Sequence, residues 1–132
     1  MNIELHHVRE EIRKADEELV RELAAASGEA EDGWTGRPTV RRRIALGLKV
    51  AECKFRHEPE RFRALARACD ERGLERAITD VRTEEAVLER VRKQALACGS
   101  DNASAERLVT FYRDQIIPET KTVQIRRLCE LG

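Results

Sequence analysis

The chain has 132 residues, a length that fits one domain, residues 1–132, with a modest core of its own. Charged residues make up 38% of it and aromatics 4%, and 25 Lys+Arg stand against 25 Asp+Glu, so the formal net charge is zero. That balance speaks against a dedicated nucleic-acid binder, whose affinity rests on a positive excess facing phosphates. Abundant Ala, Leu, Glu and Arg against 3 prolines, with no run of alternating β-branched residues, predicts an all-α fold.

In chain order, MNIELHHVREE is too charged for a signal peptide, and no 18-residue apolar run exists for a membrane span. Leu5, Val8, Ile12, Ala15, Leu19 and Leu23 recur at steps of three and four, which predicts a helix over about residues 4–26. SGEAEDGWTGRP, residues 27–38, breaks the pattern with glycines and a closing proline and reads as an exposed loop. Its Trp34 either packs back onto the body or covers a site. A second helix begins near Thr39, with Ile44, Leu48, Ala51 and Phe55 on one face. Residues 57–78 read as an extended connection with an extra helix from Pro59, Gly73 lying near that helix's end. A further helix runs from Thr79 to Gly99, capped by Asp80 and buried along Val87, Val91 and Ala95. The last extends from Asp101–Ser104 towards Leu128, and Pro118 inside it should kink or interrupt it.

Polar groups fall on the faces that should be buried. Arg43, Gly47, Val50 and Lys54 step by four, three and four along one helix face, and Gly47 leaves open space between two cations about three turns apart. Arg41 and Arg42 read as solvated. Glu84 lies beside the apolar line of its helix and needs donors if buried. Ile117, Thr120, Gln124 and Leu128 put a hydroxyl and an amide in line with apolar residues. Two cations, an acceptor and neutral donors on three helices suit a small polar dianion held between helices. Metal and cofactor signatures are missing: Cys53, Cys69, Cys98 and Cys129 are scattered without ligand spacing, and His6, His7 and His57 read as exposed. Scattered cysteines predict reduced thiols and a cytoplasmic setting.

The sequence resembles the all-helical, AroQ-type chorismate mutase family. VREEIRKADEELVREL is similar to the family's opening helix, with the arginine of L-R-x-x-I-x-x-x-D on Arg9 and the aspartate on Asp16. RRRIALGLKVAECK resembles the later part of that same helix, with a substrate-binding arginine on Arg43 and a catalytic lysine on Lys54. DVRTEEAVLERV places the family's aspartate and glutamate on Asp80 and Glu84, and IIPETKTVQ places its hydroxyl on Thr120 and its ether-binding glutamine on Gln124. The chain departs from the pattern at Thr83, where the family has arginine, and in the breaks at residues 27–38 and 57–78.

The resemblance implies a type II helical bundle in an intertwined homodimer, with Arg9 reaching the partner's site. It also implies a cofactor-free rearrangement of chorismate to prephenate. Lys54, Gln124 and Glu84 would be catalytic, and Arg43, Arg9, Thr120 and Asp80 would hold the dicarboxylate. The alternatives are an isochorismate-pyruvate lyase or aminodeoxychorismate mutase of the same fold, and a non-catalytic helical interaction module. The last would show as an exposed Lys54, an Arg9 remote from any cavity, or a site filled by Trp34.

Overall fold

The computed structural model describes residues 2–132 and, at Glu31, the backbone alone. The elements are α1 (Ile3–Ala25), α2 (Glu31–Thr35), α3 (Pro38–His57), α4 (Pro59–Arg67), α5 (Glu71–Ile78), α6 (Val81–Ala97), α7 (Asn102–Phe111), a π-helical turn (Tyr112–Ile116) and α8 (Ile117–Leu131). No strand occurs among the described residues.

Short polar side chains set four of the helix starts. Asn2 accepts from the Leu5 amide at 3.0 Å, Asp70 from Gly73 at 2.8 Å, Asp80 from Thr83 at 3.2 Å and Asp101 from Ser104 at 2.7 Å. Pro38 and Pro59 open α3 and α4, where a missing amide proton costs nothing. Gly99, at φ +93°, ends α6. Pro118 cannot donate back along the last helix, and the backbone answers with the π-helical turn just before it rather than a sharp break.

Three sequence expectations change. The segment from Arg41 to Lys54 is not a continuation of α1. Residues 26–37 reverse the chain, and α3 returns antiparallel along α1, as the pairs Asp16–Arg43, Glu11–Lys49 and Glu4–Arg56 show. The reversal is anchored rather than loose. Trp34 is 1% exposed, packs edge-on against Phe111 with ring centroids 5.3 Å apart, donates its indole N–H to the Ala26 carbonyl, and carries the Arg107 guanidinium over its face. Residues 57–78 form two helices, because the chain turns at Cys69 (φ 51°) and restarts at the Asp70 cap. Gly73 therefore lies in the first turn of α5, where a Cβ would fall 2.3 Å from the capping carboxylate of Asp70.

The buried face of α3 is Val40, Arg43, Ile44, Gly47, Val50, Ala51 and Cys53, while Leu48 is 42% exposed. Gly47 does not leave space open. A Cβ there would sit 2.8 Å from the Thr120 carbonyl oxygen, so glycine is what lets α3 and α8 cross in close contact. Three apolar clusters result. The largest joins Leu19, Leu23, Trp34, Ile44, Val91, Leu108 and Tyr112; a second joins Ala51, Phe62, Leu74, Ile78 and Leu128; a small one joins Val8, Val50 and Cys53.

Candidate active site

A cavity of about 310 Å³ opens where these clusters meet. Ile12, Val50, Ile78, Val87 and Ile117 supply its apolar wall. The seven residues given catalytic or substrate-binding roles from the sequence all line it: Arg9 from α1, Arg43 and Lys54 from α3, Asp80 and Glu84 at the start of α6, and Thr120 and Gln124 from α8. Crossing at Gly47 brings the two polar faces of α3 and α8 together.

Arg43 is 5% exposed, and its position is set by Asp16, which is fully buried. Asp16 Oδ1 accepts from Arg43 Nε at 2.6 Å and from the Tyr112 hydroxyl at 2.8 Å, and Oδ2 accepts from Arg90 at 3.0 Å. A buried charge needs such partners, and a carboxylate shared by three donors meets the need. Burial, and then the Asp16 carboxylate, push the Tyr112 phenol well above its ordinary pKa, so it remains a donor. Arg43 Nη1 is buried without a protein acceptor, on a side chain that lines the cavity. Arg90 Nε, on another side chain that lines the cavity, is likewise buried without a protein acceptor.

Lys54 is held differently. Its ammonium donates to the Ile78 carbonyl at 3.2 Å and to Gln124 Oε1 at 3.5 Å. Burial lowers its pKa from 10.5 to about 8, Arg9 and Lys121 adding to the effect and Asp80 opposing it. Asp80 caps α6, and hydrogen bonds from the Thr83 amide and side chain hold its carboxyl below the usual range. The Thr120 hydroxyl donates to the Ile116 carbonyl at 2.6 Å, so its oxygen offers lone pairs to the cavity and donates to a ligand only after turning. Glu84 is paired with Lys121 at 2.7 Å.

Two placements add to the sequence reading. Arg9, expected to reach a partner's site, lines the cavity of its own chain, because the hairpin of α1 and α3 brings it beside Lys54. Arg90, two turns along α6 from Thr83 on the same face, brings a further cation to the cavity lining. Arg90 and Lys121 were missed, although Arg90 follows Glu84 and Val87 at the spacing that singled out the others. Among the described residues no cluster of metal-ligating side chains occurs, and no helix is long and apolar enough to cross a membrane.

Known proteins are similar to part of the chain in sequence and in helical fold. The chain is 37% identical over 98 residues to a chorismate mutase of Emericella nidulans, covering 67% of this chain and 37% of that one. It is 38% identical over 93 residues to a chorismate mutase of Schizosaccharomyces pombe, covering 64% and 37%. The crystal structure of Aro7p chorismate mutase from Candida albicans, in complex with L-Trp, superposes with a TM-score of 0.65 at 33% identity, over 70% of this chain and 37% of that one. Over the aligned part the chain is similar in sequence and in helical fold to these chorismate mutases. No family model matches it. The chain spans about two fifths of the length of the curated relatives it matches.

Proposed function

We propose that residues 1–132 act as one chorismate mutase domain, converting chorismate to prephenate without cofactor or covalent intermediate. One observation carries this reading: Arg43 with its unpaired buried donor, Lys54 and Gln124 line a single cavity within one chain. In this rearrangement an ether C–O bond breaks as a C–C bond forms, and no proton moves. Arg43 and Arg9 hold the carboxylates, keeping the substrate in the compact conformer in which the reacting carbons meet. A guanidinium fork suits a carboxylate in a way that an ammonium does not.

As the ether bond stretches, negative charge grows on its oxygen, and the Lys54 ammonium stabilises that charge most at the transition state. Gln124, its carbonyl oxygen turned to Lys54, has its amide N–H₂ free to donate to the same ether oxygen. Glu84 accepts from the ring hydroxyl, and Asp80 holds Lys54 from the cavity rim. Thr120, once its hydroxyl turns from Ile116, adds a donor to the carboxylate at Arg43.

Three features favour catalysis over a mere interaction module. Lys54 is half-buried, Arg9 borders the cavity, and Trp34 lies in the core. The family's homodimer and a cytoplasmic setting, supported by free thiols, belong to the proposal too. The dimer need not deliver Arg9, and sedimentation at micromolar concentration giving only the 15.1 kDa species would remove it. Incubating the purified chain separately with chorismate and isochorismate tests the reaction. Prephenate from the first is expected, whereas salicylate and pyruvate from the second, with chorismate untouched, would replace the mutase by a lyase.

A further inference from the structure

We propose that Lys121 is a specificity residue: by pairing with Glu84 it makes the site favour a substrate with a neutral hydroxyl at the ring carbon facing Glu84 over one with an ammonium there. The inference rests on the rearrangement reading above. Lys121 Nζ lies 2.7 Å from Glu84 Oε1, and the two side chains are 21% and 26% exposed, partly withdrawn from water, within the lining of one cavity. Lys121 follows Thr120 on α8 and Glu84 stands in the first turn of α6, so the pair bridges the two helices that face each other across the site.

A lone carboxylate in so sheltered a place would prefer a cation, because charge-assisted hydrogen bonds are about twice as strong as neutral ones. An aminodeoxychorismate, bearing an allylic ammonium in place of the hydroxyl, would then be the better ligand. Lys121 reverses that preference. Its ammonium occupies Oε1 and leaves Oε2 as an acceptor, which a hydroxyl can use without cost. An incoming ammonium at Oε2 would instead lie close to a first ammonium, in a cavity where Arg9, Arg43, Lys54 and Arg90 outnumber Asp80, the one lining carboxylate besides Glu84 among the described residues. Discrimination of this kind comes from repulsion built against the competitor as much as from attraction to the substrate. The field of Lys121 is felt inside the cavity, since it is among the charges that lower the pKa of Lys54.

The test is the ratio of kcat/KM for chorismate to kcat/KM for aminodeoxychorismate in the wild type, Lys121→Met and Lys121→Arg. Lys121→Met, close in shape and without charge, should narrow the ratio at least tenfold, while Lys121→Arg should hold it within threefold of the wild type. Lys121→Gln repeats the comparison if the methionine variant does not fold. A purely structural role for Lys121 would depress both substrates alike and leave the ratio standing. An unchanged ratio in a folded, chorismate-active Lys121→Met overturns the inference alone. Failure of the wild type to turn over chorismate overturns it together with the rearrangement reading.

Discussion

At the Arg43 end of the cavity, Asp16 and Tyr112 are buried, Arg90 is partly so, and all three are tied together by hydrogen bonds. Asp16 takes three donors from three other elements, and the guanidinium cannot move without unpairing them. At the Lys54 end the contacts are longer, 3.2 Å to a carbonyl and 3.5 Å to an amide oxygen, and the ammonium is depressed towards neutrality by its own burial. On the proposed rearrangement, the difference follows from what each end would have to do. A carboxylate carries its charge before, during and after the reaction, so its clamp is best fixed. The ether oxygen acquires charge only as its bond breaks, so a cation poorly satisfied beforehand has most to gain at that moment.

The largest break in this contrast comes from Asp16→Leu. It leaves the Arg43 guanidinium buried without its counterion, and breaking a buried pair in this way costs about 3–5 kcal/mol. Urea unfolding should register a loss of that size, and preserved stability would show that Arg43 is held by something else. Lys54→Ala strikes the other end, lowering kcat roughly 100- to 1000-fold, about 2.7–4 kcal/mol, with a smaller rise in KM. Its stability should hold or rise. The folded pKa of about 8 lies below the ordinary 10.5, so the charged lysine weighs against the folded state at neutral pH, a penalty relieved only as pH climbs through about 8. Steady-state kinetics and a melting curve on one preparation check both. Gly47→Ala is the mildest. Overpacking against the Thr120 backbone costs about 1–3 kcal/mol, partly offset by about 1 kcal/mol of helix propensity. A small fall in melting temperature should accompany a weakened Lys54–Gln124 alignment and lower kcat, and a gain in stability would mean that α8 yields freely.

Much of this was legible in the chain. Arg43 and Lys54 share a face whatever they pack against, because eleven residues make about three turns. Asp80, Asp101 and Gly99 announce helix ends through local chemistry that needs no tertiary context. The reversal between α1 and α3 was not legible. Residues 27–38 read as an exposed loop interrupting one long helix, and what anchors them as a reversal is Trp34 docking on Phe111, 77 residues away in sequence. Gly47 was misread for a similar reason: its lack of a side chain answers to a backbone carbonyl on α8. Lys121 escaped notice because its meaning lies in Glu84, on another helix.

The two ends also differ in what they can titrate. An arginine keeps its charge across the accessible range, whereas Lys54 loses its proton near pH 8. The most direct test of the account is therefore the pH dependence of kcat/KM for chorismate between pH 6 and 10, which reports groups of the free enzyme. The account predicts a plateau below about pH 8 and a tenfold fall per pH unit above it, with that limb absent from the residual activity of Lys54→Ala. A wild-type profile flat to pH 10, or the same limb surviving in Lys54→Ala, would contradict the assignment of the Lys54 ammonium to the breaking bond.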